Sequence, residues 1–313
     1  MCYHLACRSE KDEMKEENDK TKKALAAVIA ANVIWGFSFM ATSVALKHIS
    51  VPALLSMRFT GSFLIMLAVM ICGRAKVSIK GKPVGLFLLM GLCEPVIYFI
   101  AESYGVKHTT SSFSGLTLSL IPITTAVLSA VILGEHLSAK KLLWITCSVA
   151  GVALISVSQT SEGTIEAKGV FYLLISMVAA SFFSILSRHV SGSFTSFERT
   201  FIMMLMGCAA FTALALVREG PSFGRICAAA LSQREVLLPL LFLSVVCSVF
   251  AFFCLNYGMT YLEVSRAVVF TNITPVVSVI AGTALLGEPF SAVCAAGMFL
   301  ILTGLFMVNR IRD

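Results

Sequence analysis

Charge is what this sequence has least of. Asp, Glu, Lys and Arg supply 13% of its 313 residues, where a soluble domain typically carries about 25%. So few charges cannot cover a water-facing surface of this size. The windows from Ala24 to Leu46 and from Ser111 to Leu133 hold no ionisable side chain. A run of about 20 apolar residues spans the roughly 30 Å hydrocarbon core of a bilayer. It must be helical, because lipid cannot satisfy free backbone N–H and C=O groups. A soluble fold is excluded. Other absences narrow the chemistry. The ten cysteines form no C-x-x-C pair, and His4, His48, His108, His136 and His189 show no ligand spacing, so no metal site or disulfide framework is expected. There is no H-E-x-x-H, no G-x-S-x-G and no P-loop lysine, which argues against an enzyme and against ATP-driven work by this chain. Nothing calls for a cofactor or a nucleic-acid partner. The polar first 23 residues lack the apolar core of a cleavable signal peptide; their composition favours a disordered tail over a short water-facing helix.

What is present is hydrophobic length, punctuated. Hydropathy places helices near 24–46, 52–72, 84–104, 111–133, 140–158, 168–187, 198–217, 236–258, 265–286 and 291–309. The expected fold is an all-α membrane protein of about ten transmembrane helices. If the N-terminus is cytoplasmic, the tail lysines and arginines and Arg74, Lys76, Lys80, Lys82, Lys140, Lys141, Arg188, Arg266, Arg310 and Arg312 lie inside. Only Lys47, Lys107, Lys168, Arg218, Arg225 and Arg234 lie outside. The positive-inside rule therefore puts both termini in the cytoplasm of a multi-pass cell-membrane protein. The three arginines in the long loop between helices seven and eight dissent.

Sliding the chain along itself by 153 residues reveals a repeat. Tyr104-Gly105 falls on Tyr257-Gly258, Ser112 on Ser265, Pro122 on Pro275, Leu133-Gly134-Glu135 on Leu286-Gly287-Glu288, and Gly151 on Gly304. These are scarce residue types at fixed intervals, not chance matches of Leu and Val. The organisation is a tail (1–23), a five-helix unit (24–158), a linker (159–167), a second unit (168–309) and a short C-terminus (310–313). Five is odd, so the second unit enters the membrane from the opposite side. Inverted repeats of this kind recur in secondary transporters, with the substrate site near the midplane between the halves.

Trp35-Gly36 in helix one, Arg58-Phe59 in helix two, and the repeated Tyr-Gly, Pro and Gly-Glu punctuation resemble the EamA-type family of the drug/metabolite transporter superfamily over roughly residues 24 to 309. The resemblance implies two EamA-type units, a cytoplasmic-membrane location and export of small metabolites or amino acids. The second unit departs from it, with Ala180-Ser181-Phe182 where a Trp-Gly pair would stand.

Glu94 is the most informative side chain. It lies ten residues into helix three, about 15 Å along the axis, near the midplane, where a carboxylate facing lipid costs roughly 2.5–3.5 kcal/mol. It should face the interior, as a candidate for binding substrate or a coupling proton. Gly91, Glu94, Tyr98 and Glu102 follow at spacings of 3, 4 and 4, one α-helical face. The matching residues of helix eight, Ser244, Cys247, Ala251 and Leu255, carry no charge. Arg58 and Glu102 share a depth that suggests an ion pair, gating or neutralising, and Arg199 beside Glu198 suggests another near the inner surface. Pro122 and Pro275 should kink helices four and nine and turn carbonyls toward a cavity. Ser119 and its register mate Asn272 flank them, with Thr271 adjacent. Trp35, Phe252 and Asn256 are further candidates for lining. Glu135 and Glu288 read as structural, accepting from donors that open the next helix. The function expected is secondary active transport of a small solute, an export by alternating access with Glu94 as a proton site. The alternatives are a carrier of other organic solutes such as sugars or cationic drugs, and a channel.

Overall fold

The computed structural model describes the backbone of residues 2–73, 75–78, 80–133, 138–161, 163–190, 193–261 and 270–311. Among them, eight helices are long and apolar enough to cross a membrane, and the shorter Phe270–Leu286 and Ala292–Val308 complete the expected ten. Helix one is Cys2–Ala45, helix two Val51–Ile71, and helix three runs through Val84–Lys107. Helix four has two segments, Ser111–Leu118 and Ile121–Leu133. Helix five is Ala139–Ser161, helix six Ala167–Val190 and helix seven Ser196–Glu219. Helix eight follows from Arg234 to Tyr261, helix nine ends in Ile273–Leu286, and helix ten is Ala292–Arg310.

Two expectations change. The polar leader is helical, continuous with the first membrane helix. Residues 1–35 contain no Gly or Pro, and a chain that extends an existing helix avoids the nucleation penalty. The long loop between helices seven and eight is also not irregular. It turns at Gly220, in a positive-φ conformation, and forms a short helix, Phe223–Ser232. Arg218, Arg225 and Arg234 stay exposed there.

Short polar signals fix the helix ends. Ser50, Thr110 and Ser291 each accept a hydrogen bond from a backbone N–H of the turn they open, and Thr195 with Glu198 forms a reciprocal capping box. Helix nine ends at Gly287 with φ of 67°, a left-handed conformation that only glycine adopts freely. That explains the Leu-Gly-Glu punctuation. Its copy at 134–135 lies outside the described residues.

The helix pairing obeys the repeat. Helix two packs on seven, five on ten and four on nine, each a pair of repeat mates. Helix three packs on six and helix eight on one, a relation that exchanging the halves maps onto itself. Small residues set the closest approaches. A Cβ on Gly151 would meet the Gly297 carbonyl at 2.7 Å, and one on Gly207 would strike the ring of Phe59. Packing of this kind, rather than hydrophobic exclusion, is what drives helix association in lipid.

The breaks repeat as well. Helix four is interrupted at residues 119–120, before Pro122. Helix nine opens on a tight turn, Phe270–Asn272, before Pro275. Proline removes an N–H and crowds the preceding turn, so both interruptions follow from the sequence.

Candidate functional site

Helix three positions the acidic residues and does so by breaking. Pro95 has no N–H to offer the preceding turn, and the residue before a proline is pushed out of the α region. Glu94 accordingly has φ −142° and ψ 118°, an extended backbone that kinks helix three within Leu92–Ile97. The stripe from Gly91 to Glu102 is therefore not one continuous α-helical face. Tyr98 and Glu102 keep their α-helical spacing, and Glu94 is offset by the break. Phe99 links them: its ring meets Tyr98 edge-on at 4.8 Å, and Arg58 lies over it, so Tyr98, Glu102 and Arg58 gather beside the Glu94 break. Glu94 is half-buried, and among the described residues its carboxylate has no hydrogen-bond or ion-pair partner. Helices six and seven close around this turn. Ser176 donates to the Tyr98 carbonyl at 3.3 Å, and a Cβ on Gly91 would collide with Met206.

Arg58 and Glu102 are deeply buried, at 5% and 3% exposure, but they form no direct ion pair. The Nε of Arg58 instead donates to Ser248 Oγ at 3.3 Å, and that hydroxyl donates onward to the Leu243 carbonyl at 2.9 Å. The guanidinium lies over the ring of Phe99, 4.6 Å from its centroid, and 5.7 Å from that of Phe59. A desolvated contact of this kind is worth about 2 kcal/mol. Glu102 accepts a long bond of 3.5 Å from Ser103 and interacts with Arg58 only through space.

Helix eight contributes the opposite wall. It also departs from regular α-helix, widening into a π-helical turn, Phe242–Phe250. Its Cys247 carbonyl accepts from Trp35 Nε1 at 3.3 Å, and Trp35 meets Phe252 edge-on with ring centroids 5.4 Å apart. Helices one, two, three and eight thus converge on Trp35, Arg58, the acidic cluster and Phe252.

The remaining candidates separate from this cluster. Ser119 sits at the break of helix four and donates to the Leu116 carbonyl of its own helix at 2.6 Å. Thr271 and Asn272 lie in the turn opening helix nine, and Asn272 Oδ1 is buried without a partner among the described residues. The side chain of Asn256 and all of Glu135 lie outside the described residues.

Two carboxylates act at the faces of the bundle. Glu288 was expected to serve the next helix. It serves helix four of the other repeat, accepting from Ser111 N at 2.6 Å, Ser112 N at 2.9 Å and Ser112 Oγ. Helix ten is capped by its own Ser291 instead. A carboxylate on the open N–H groups of a helix start is a charge-assisted cap, and Gly282 leaves it room. On the opposite face Glu198 pairs not with Arg199 but with Lys82 Nζ at 2.6 Å, and accepts from Ser78 N and Thr195 N. Both clasps tie one repeat to the other.

Sequence reasoning missed three contributors. Ser248 is the register mate of Pro95, so the repeat itself pointed to it. Asn32 is the only amide side chain in the first apolar run, and it receives the Thr274 hydroxyl at 3.0 Å from helix nine. Phe99 gave no signal beyond being aromatic.

Comparisons with known proteins agree with this architecture. The chain matches the EamA-like transporter family twice, over residues 22–157 and 167–310. It is 29% identical over 296 residues to the uncharacterized transporter YcxC of Bacillus subtilis, covering 94% of each chain. It is 22% identical to a Streptantibioticus cattleyicolor protein named as a probable terminal-alkyne amino-acid exporter, over 93% of this chain and 95% of that one. One crystal structure, 20% identical, superposes with a TM-score of 0.63 over 91% of this chain and 96% of its own, and so shares the fold. With one copy of the family unit in each inverted half, the chain is a multi-pass membrane protein that belongs to the EamA-like transporter family.

Proposed function

We propose that this transporter is a secondary active exporter of small metabolites or amino acids, working by alternating access in the cell membrane and exchanging its solute for a proton at Glu94. The observation that supports this most is the break in helix three. It sets an ionisable carboxyl half-buried near mid-depth, with no protein partner among the described residues. Discontinuous membrane helices concentrate at functional sites. The carboxyl that faces Glu94 within the same helix is Glu102, two turns on. The two inter-repeat clasps at Glu198 and Glu288 suit a machine whose halves rock about a central site. The Lys and Arg distribution supports a cytoplasmic Glu198 face and cytoplasmic termini. The relative named for amino-acid export favours amino acids among the solutes considered.

The test is counterflow in proteoliposomes with an imposed pH difference. One pH unit is worth about 1.4 kcal/mol per proton, a tenfold accumulation ratio. Wild type should approach that ratio, and Glu94→Gln should exchange solute without responding to the gradient. An unchanged response in Glu94→Gln would remove proton coupling from this residue.

A further inference from the structure

We propose that Arg58 is the carboxylate anchor of the transported solute and that Glu102 meets its cationic end, so that the chain selects zwitterions. The proposal rests on the transport reading above and assigns its site a substrate class and two contacts. Its ground is a split pair of charges. Arg58 and Glu102 are both almost fully buried, in a region where ionisable groups survive by pairing with each other or by lining a wet cavity. Arg58 Cζ lies 4.6 Å from the centroid of Phe99, three residues before Glu102, yet the two charges have separate hydrogen-bond partners and do not touch. The guanidinium carries five N–H donors, and among the described residues only Nε is used, by Ser248. Its Cζ lies over the ring of Phe99, one turn before Glu102 on the same helix face. The fork thus remains available for a planar, two-oxygen acceptor, the geometry that Arg recognises and Lys does not. The Glu102 carboxylate has only a long bond from Ser103, leaving acceptor capacity for an ammonium. A zwitterion completes both ends at once.

The neighbouring wall sets the rest of the solute. Ser248 and Phe252 are one turn apart on helix eight, and Trp35 stands edge-on to Phe252. An apolar or aromatic group extending from the charged end would meet these rings. The competing account is a pair of charges that neutralise each other through water, with no solute contact. It makes different predictions for solutes that lack one end.

The experiment uses the full chain in proteoliposomes, with labelled L-phenylalanine as the probe. L-Phenylalaninamide lacks the carboxylate, and 3-phenylpropionate lacks the amine. Wild type should exchange phenylalanine, and both analogues should compete at least about tenfold more weakly, as expected when a charged hydrogen-bonding partner is missing. Arg58→Gln should weaken phenylalanine by a similar factor and leave competition by phenylalaninamide unchanged. Glu102→Gln should weaken phenylalanine and leave 3-phenylpropionate unchanged. Arg58→Lys keeps the charge without the fork, should fall between, and supplies the test if Arg58→Gln does not fold. Equal losses of phenylalanine and phenylalaninamide in the Arg58 variants would overturn the anchor in favour of a structural role. A wild-type chain that exchanges glucose or tetraethylammonium but not phenylalanine overturns the anchor alone. Failure to exchange any of these solutes overturns the transport reading beneath it.

Discussion

Helix three and helix eight hold equivalent places in the two repeats, and both depart from regular α-helix at the same register, helix three by a kink and helix eight by a π-helical turn. Leu92–Ile97 in the first falls on 245–250 of the second, inside Phe242–Phe250. The chemistry at the turn is not shared. Helix three carries Glu94 and Pro95, with an extended backbone and a carboxyl that lacks a partner among the described residues. Helix eight carries Cys247 and Ser248, whose backbone and hydroxyl hold Trp35 and Arg58 in place. The repeat therefore fixes where the bundle opens its helices, and each copy uses its opening differently. One presents an ionisable group; the other braces the side chains facing it.

The sharpest way to break this division of labour is to give helix eight the proline of helix three. Ser248→Pro would remove an N–H and the hydroxyl that receives Arg58 Nε, leaving a buried guanidinium with one partner fewer. The backbone term alone is about 3 kcal/mol. A large fall in thermal stability of the purified protein is expected, larger than for Ser248→Ala. Equal effects of the two variants would mean that the second turn tolerates proline as the first does.

Next in size is the chemical half of the comparison. Glu94→Gln should flatten the response of exchange to a pH gradient, worth about 1.4 kcal/mol per pH unit. Cys247→Ser, at the matching position of helix eight, should leave that response intact. If both variants flatten it equally, the two turns are not specialised, and proton handling belongs to the repeat rather than to one copy.

Much of this arrangement was legible in the sequence, and the limits have physical causes. Ten helices follow from apolar length, and the breaks of helices four and nine from Pro122 and Pro275, because those signals are local; the break at Pro95 was masked by the helical spacing of Gly91, Glu94, Tyr98 and Glu102. Glu94 was identifiable as the single carboxyl at mid-depth of an apolar helix. The partners were not legible. Arg58 and Ser248 are 190 residues apart, and Glu288 and Ser112 176 apart. Which carboxylate meets which donor depends on how the repeats interlock. The expected Arg58–Glu102 pair was drawn from matching depth and the Arg199–Glu198 pair from adjacency in the sequence. Depth says nothing of the rotation about each helix, which seats Arg58 on Phe99 and gives Glu198 to Lys82.

A smaller change sharpens the bracing role of helix eight. Trp35→Phe keeps an aromatic ring against Phe252 and deletes the N–H that reaches the Cys247 carbonyl at 3.3 Å. A single hydrogen bond of this type contributes about 1 kcal/mol. A modest loss of thermal stability is expected, with the pH response of exchange retained. A loss of the pH response in Trp35→Phe would show that the two turns are coupled through helix one.

The smallest effect tests how the far end of helix three is held. His108, just past that end, pairs with Glu166 at 3.1 Å, and Lys168 at the start of helix six pairs with the same carboxylate at 2.8 Å. The bonds from Lys168 and His108 hold the Glu166 carboxyl below its ordinary value of 4.5. A carboxyl with a lowered folded-state value stabilises the fold above its unfolded value, and that contribution disappears as pH falls through the folded one. Glu166 is exposed, so solvent screens the interaction and the effect is small. Glu166→Gln should therefore unfold at a slightly lower temperature than wild type near neutral pH. The gap should narrow as pH drops below 4.5 and close once Glu166 itself is protonated. A gap that widens on acidification would mean the carboxylate opposes the junction of helices three and six. The bridge would then not be what keeps the end of helix three in register while its middle stays open.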